Sequence, residues 1–169
     1  MQTWDAITSR RNVRSFDGRA IAAEDLDRIL EAGRRAPSSQ NWQPWDFVVV
    51  TDRDQLRQLS GVFRGAYHVA DSAATIAVVG PVEENEFRRA QLDLGQAIMS
   101  MMLAAADLGI GSCHAGVADT PLAQRLLGLP SDRDFVLLIS LGYPADRPLT
   151  PVRRPSRRPF DEVVHRGRW

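Results

Sequence analysis

Lysine is absent. All 21 basic residues of this 169-residue chain are arginine. No side chain can therefore form a Schiff base, act as an amine base or serve as a phosphate-loop ammonium. A phosphate would have to be held by guanidinium groups or backbone N–H groups, and the planar arginine fork suits phosphate well. Cysteine is almost absent: Cys113 alone excludes an intrachain disulfide and a four-cysteine zinc site. It fits a reducing, cytoplasmic setting. Net charge is zero, so no global field points to nucleic acid or to an anionic membrane. Long apolar runs are missing too. The longest nearly apolar stretch, 97–106, is well short of a membrane span and lies between Asp93 and Asp107. The opening Met-Gln-Thr-Trp-Asp has no signal-peptide pattern. These absences lead to the expectation of a soluble cytoplasmic protein without a membrane partner.

Several standard sites are also missing. There is no Gly-x-Ser-x-Gly elbow, no phosphate-binding Gly-x-x-x-x-Gly-Lys and no Gly-x-Gly-x-x-Gly fingerprint. His68, His114 and His165 lie apart without ligand spacing, so no metal is expected. His68 is expected at the surface or in an interface. Cys113 and His114 are neighbours on an extended segment and would face opposite ways, which argues against a thiol–imidazole dyad. Cys113 is expected to be a small core residue.

What is present is the pattern of one globular domain over 1–169, with 44% hydrophobic and 25% charged residues. Helices are predicted over 3–9, 22–35, from a cap at Thr51 or Asp52 to about Gly61, over 83–108, and from Asp119-Thr120-Pro121 to Gly128. A short helix is compatible with 62–72 and a last helical turn with 160–164. Buried strands are predicted at 47–50, 74–80 and 135–141, with a short one at 112–115. Strands alternating with helices indicate α/β or α+β architecture. The 97–106 part of the long helix is apolar nearly all round and calls for burial in a core or a subunit interface. Residues 146–158 read as an extended arm rich in proline and arginine. An arm must lie on something, and a homodimer embraced by it would satisfy both features.

Chemistry is concentrated in three stretches. Residues 10–16, Arg-Arg-Asn-Val-Arg-Ser-Phe, are extended, so Arg10, Asn12 and Arg14 are expected on one side, with Arg11, Val13 and Ser15 on the other. Residues 153–158 carry Arg153, Arg154, Arg157 and Arg158. Between them lies 36–45, Ala-Pro-Ser-Ser-Gln-Asn-Trp-Gln-Pro-Trp, a polar loop held between a helix and a strand, where binding groups tend to sit. Together the two arginine clusters and the loop could hold a phosphorylated ligand. A cofactor would bring its own chemistry, which fits the lack of a nucleophile or acid–base dyad.

Those stretches resemble the FMN-dependent nitroreductase family. The likeness rests on 10–16 and 36–45, on Asp93-Leu-Gly-Gln-Ala-Ile-Met, and on Leu103-Ala-Ala-Ala-Asp-Leu-Gly-Ile-Gly-Ser-Cys113. It continues through Leu141-Gly-Tyr-Pro144 and 157–164, and so covers nearly the whole chain in order. It implies an α+β nitroreductase-like fold: a central, mostly antiparallel sheet flanked by helices, a long buried central helix, and an intertwined homodimer with an extended C-terminal arm. FMN would sit at the subunit interface. Arg10, Asn12 and Arg14, joined by Arg11, would line its phosphate and the polar edge of the ring. Pro37, Ser38, Ser39 and Asn41 would come from the other subunit. Ala115 and Gly116 would lie against the ring, and Arg157 or Arg158 would close on the phosphate.

The implied activity is reduction of FMN by NAD(P)H, followed by electron transfer to nitroaromatics, quinones or related electrophiles. The alternatives are a specialised oxidase or reductive dehalogenase on the same scaffold, or a non-enzymatic flavin or nucleic-acid binder. Position 12 is usually serine in the family and position 115 is acidic in some members. Here Asn12 keeps a donor and an acceptor, and Ala115 leaves a backbone contact. Longer members insert a helical lid after the mid-chain strand. Here Gly80-Pro81-Val82 runs almost directly into the long helix, which implies an open, shallow site.

Overall fold

The computed structural model describes residues 2–169, with Phe135 described by its backbone. Six α-helices are present among the described residues: α1 (Thr3–Ser9), α2 (Ala23–Arg34), α3 (Arg53–Ser60), α4 (Glu84–Asp107), α5 (Thr120–Leu127) and α6 (Phe160–Val163). Strands β1 (Asp46–Val50), β2 (Ala74–Pro81), β3 (Gly111–Ala115) and β4 (Arg133–Gly142) form one sheet in the order β1-β2-β4-β3, and every ladder is antiparallel. Two short 3₁₀ turns, Ser39–Asn41 and Arg64–Val69, complete the elements. Only Val82 and Glu83 separate β2 from α4, as the sequence implied.

A strand buried along its whole length needs cover on both faces, and β2 is such a strand. Its period-two alternation divides it between two cores. Ile76 and Val78, with Ile139 and Leu141 of β4, pack against Ile29 of α2 and against Leu94, Ala97, Met101 and Ala105 of α4. On the opposite face Ala77 and Leu138 meet Leu56 and Leu59 of α3, Ala66 and Val69 of the second 3₁₀ turn, and Ala123 of α5. Burying each leucine contributes roughly 1.5–3 kcal/mol.

Capping follows the expected residues. The Asp52 carboxylate accepts the Gln55 N–H at 2.8 Å, and Asp119 accepts the Leu122 N–H at 2.9 Å. Helices α2 and α4 approach closely because position 33 has no Cβ. A Cβ there would meet Met101 Cγ at 2.7 Å and Sδ at 2.8 Å.

Helix α4 is buried on one side only. Ala90, Asp93, Leu94, Ala97, Met101 and Met102 point inward, whereas Leu92 is 74% and Met99 44% exposed. Of the 97–106 run that the sequence assigned to a core or an interface, Ala97, Met101, Met102, Ala105 and Ala106 are buried within the single chain and Met99 is left exposed. The arm is open as well, since residues 151–169 are all exposed. Its anchors are the Val152 N–H, which donates to Thr8 O at 3.0 Å, and Arg11, which reaches Asp146. No helix among the described residues is long and apolar enough to cross a membrane.

Candidate functional site

The two edges of the sheet carry the predicted stretches. Residues 12 and 13 lie along β3: Asn12 bridges Ser112 in parallel, and the Val13 N–H donates to Ser112 O at 3.0 Å. The loop 36–45 leads into β1 at the opposite edge. Three strand spacings of about 4.8 Å separate the edges, roughly 14 Å in all. One chain therefore carries the two predicted stretches at opposite edges of the sheet.

At the β3 edge a cavity of about 530 Å³ is lined by Arg10, Arg11, Asn12 and Arg157, with Thr8 and Ser156 beside them and Trp4, Ile7, Val152 and Pro155 as its apolar wall. Strict alternation along 10–16 does not hold. Arg10 caps the end of α1, and the bridges along this stretch fall at Asn12 and Phe16, so Arg10, Arg11 and Asn12 all line one cavity. Val13 points inward and is 1% exposed.

The four polar side chains are not equivalent. Arg11 is already engaged, donating to Asp146 Oδ1 at 2.7 Å and to Arg147 O at 2.9 Å. Its guanidinium and the Arg147 N–H hold the Asp146 carboxyl below the ordinary carboxylate range. Among the described residues Arg10 donates to Asn12 Oδ1 at 3.2 Å and Arg157 to Ser156 O at 2.7 Å. Neither has a carboxylate partner among the described residues. Two unneutralised guanidiniums in one cavity form a ready anion site. Arg158 turns away, with its Nη2 donating to Glu162 O at 3.0 Å.

Arg14 lies in a neighbouring cavity of about 490 Å³ with Arg53, Asp17 and Asp71. Ala115, 5% exposed, ends β3, and Gly116 follows it into solvent. The predicted phosphate groups, Arg14 and these two backbone positions therefore follow one edge of the sheet.

The loop at the other edge is tightly determined. Gln40, Asn41 and Gln43 have φ of 53°, 58° and 50°. Left-handed geometry at a residue other than glycine costs roughly 1–3 kcal/mol, and such strain collects at binding sites. Hydrogen bonds offset it: the Ser38 hydroxyl accepts the Gln43 N–H at 3.0 Å, and the Asn41 N–H donates to Ser38 O at 3.0 Å. Pro37, Ser39 and Asn41 are exposed and Ser38 is half-buried. Asp93 of α4, absent from the predicted set, accepts both the Ser39 N–H and the Trp42 indole N–H. Its carboxylate on an apolar helix face was the signal available in the sequence.

His68 corrects the expectation of a surface or interface residue. It is 2% exposed, with Nδ1 2.7 Å from Ser140 Oγ. The Ser140 hydroxyl donates to Cys113 O at 3.1 Å, so Nδ1 must carry the proton that Ser140 accepts. A partner 72 residues away in sequence left no local pattern. Burial pushes the His68 pKa down, reinforced by Arg14 and His114. Burial likewise pushes the Cys113 thiol up, against the pull of Arg14 and Arg10. Cys113 is a buried core residue, as expected, and such a thiol stays protonated.

The histidine sets a pH dependence. Its folded pKa lies below the unfolded value near 6.5, so the unfolded chain binds the extra proton, and stability falls as pH drops below about 6.5. The slope approaches about 1.4 kcal/mol per pH unit until the folded pKa is reached. Glu31, held at about 2 by Arg34 and Arg35, acts only between about 4.5 and 2, outside this window. Urea midpoints between pH 8 and 5.5 should decline in the native protein and much less in His68→Gln.

An all-antiparallel sheet sandwiched by helices, with an arginine-lined cavity at one edge and a strained polar loop at the other, defines the architecture of an α+β protein. The profile of the Nitroreductase family matches residues 7–83 and 64–143, and the chain belongs to that family. A protein of Archaeoglobus fulgidus, provisionally named NADH dehydrogenase/NAD(P)H nitroreductase, is 33% identical over 96% of this chain and 96% of its own length. The NADPH-flavin oxidoreductase of Vibrio harveyi is 28% identical over 99% of this chain and 74% of its own. Among solved structures, nitroreductase A of Vibrio parahaemolyticus superposes with a TM-score of 0.87 at 26% identity, covering 100% of this chain and 77% of that one.

Proposed function

We propose that the protein is an NAD(P)H-dependent FMN oxidoreductase acting as a cytoplasmic homodimer, in which the whole chain forms one domain and two copies build each site. The observation that carries this reading is the division of the site. Anion-binding arginines line one sheet edge and the strained loop lies at the other, so a second copy would have to bring the halves together. The exposed Leu92 and Met99 on α4 and the free arm of residues 151–169 offer surface for that pairing. A flavin with a terminal phosphate fits the donor set: Arg10 and Arg157 have no carboxylate partner among the described residues, and their cavity has an apolar wall.

Bound FMN would supply the redox chemistry, a two-electron exchange between NAD(P)H and a nitroaromatic, quinone or related electrophile. The protein's part is positioning and electrostatics. Arg10 and Arg157 would neutralise the phosphate with Asn12 beside them, and Arg11, braced by Asp146, would stiffen the wall. Arg14 and the backbone N–H groups of Ala115 and Gly116 would present positive potential to the ring, favouring its reduced, anionic form. Pro37, Ser38, Ser39 and Asn41 of the second copy would cover it. The lack of an inserted segment between β2 and α4 leaves the outer face open and selectivity low.

The purified protein should be yellow or turn yellow with one equivalent of FMN per chain, oxidise NAD(P)H when a quinone is supplied, and run as a dimer. A colourless protein that binds no FMN refutes the reading.

A further inference from the structure

We infer that Asp93 is a positioning residue: its buried carboxylate fixes the strained loop so that Ser38, Ser39 and Asn41 meet the cofactor in a set geometry. This role rests on the flavin reading above. Asp93 Oδ2 accepts the Ser39 N–H at 3.1 Å and the Trp42 Nε1–H at 2.8 Å, and Oδ1 accepts from the Gln96 amide at 3.4 Å. The residue is 3% exposed and forms no ion pair among the described residues. A buried carboxylate without a counter-cation persists only where hydrogen bonds satisfy it. Here the two short bonds both come from the loop.

Their placement gives the carboxylate its leverage. Ser39 and Trp42 bracket Gln40 and Asn41, two of the three residues at positive φ. One oxygen thus ties both ends of the strained turn to the middle of α4. Trp42 is also held across its face, since Arg89, one helical turn before Asp93, lies 5.3 Å from the indole centroid. Among the described residues, the hydrogen bonds of Asp93 go to the Ser39 N–H, the Trp42 indole and Gln96, and none goes to the Asn41 side chain. Its influence passes through the backbone, which separates it from the groups that would contact the flavin.

Three variants test the role: Asp93→Asn, Asp93→Leu and Asp93→Leu combined with Asn41→Ala. In Asp93→Asn the amide oxygen can replace Oδ2, while Gln96 rotates to accept from the new NH₂, so FMN affinity should stay within about threefold of native. Asp93→Leu loses both loop bonds and should weaken FMN about tenfold or more, with far-UV circular dichroism unchanged. Adding Asn41→Ala should then cost little more, because Asn41 is already misplaced. In the flavin-free protein, amide hydrogen exchange at residues 39–43 should quicken in Asp93→Leu while the rest of α4 keeps its protection.

Native-like FMN affinity in Asp93→Leu, equal damage in Asp93→Asn, or fully additive losses with Asn41→Ala would overturn the role while the flavin reading stands. A native protein that takes up no FMN refutes the flavin reading and this role with it. Exchange in Asp93→Leu then separately reports whether the carboxylate restrains the loop.

Discussion

Replacing Arg10 and Arg157 together by alanine should weaken FMN binding by about 10²–10⁴-fold while leaving riboflavin binding nearly unchanged. Hydrogen bonds to charged groups contribute roughly 1.5–3 kcal/mol each, and these two guanidiniums share them with no carboxylate among the described residues. Each single variant should lose about 10–150-fold by the same figure. Arg158→Ala is the internal control. Its guanidinium is spent on Glu162, so the change should be within about twofold, as for most surface substitutions. Fluorescence titration with FMN and with riboflavin separates the outcomes, because riboflavin lacks the phosphate. Equal losses for both ligands would mean that the arginines hold up the fold rather than bind an anion. Arg14→Ala should weaken the two ligands alike, since Arg14 sits further along the β3 edge in the neighbouring cavity.

That contrast between Arg157 and Arg158 shows what the sequence could not contain. Both follow proline-rich arm residues and either could have been placed on the phosphate. The choice depends on where the arm crosses α1, set by the Val152 N–H bond to Thr8 and by the Arg11 bonds to Asp146 and Arg147. Local signals were legible wherever a local cause dominated. The Asp52 and Asp119 caps, the continuous apolar runs of β2 and β4 and the stop before Pro37 each express an interaction a few residues long. Features built by distant partners were hidden. His68 is buried because Ser140 meets it across the fold. Arg10, Arg11 and Asn12 converge because α1 ends at Arg10, which breaks the alternation assumed for an extended segment. The left-handed residues Gln40 and Gln43 carry no glycine signal at all. The hydrogen bonds around them come from Asp93, to Ser39 and Trp42 on either side of Gln40, and from Ser38 to Gln43, partners fifty-odd and five residues away in sequence.

Gly111→Ala should destabilise the protein by about 2–4 kcal/mol and weaken FMN binding at the same time. A Cβ at position 111 would lie 2.7 Å from Val13 Cβ and Cγ2 and 2.9 Å from its Cγ1. Rotating the valine cannot relieve the clash, because its own Cβ is among the atoms struck. The backbone around residue 13 must therefore move off β3. Overpacking of this kind costs roughly 1–3 kcal/mol. Loss of the Val13 N–H bond to Ser112 adds about 0.5–1.5 kcal/mol. For a chain of this size the midpoint of thermal unfolding should fall by roughly 5–15 °C. The same movement carries Arg10, Asn12 and Arg14 away from their places along the edge, so the loss of stability and the loss of ligand share one cause. Pairing Gly111→Ala with Val13→Gly restores the missing space and should recover part of both. Recovery of stability without recovery of FMN affinity would separate the fit of this edge from its arginines. An unchanged midpoint in Gly111→Ala would mean that residues 12–14 do not rest against β3 at this distance, and the phosphate half-site would lose its structural basis.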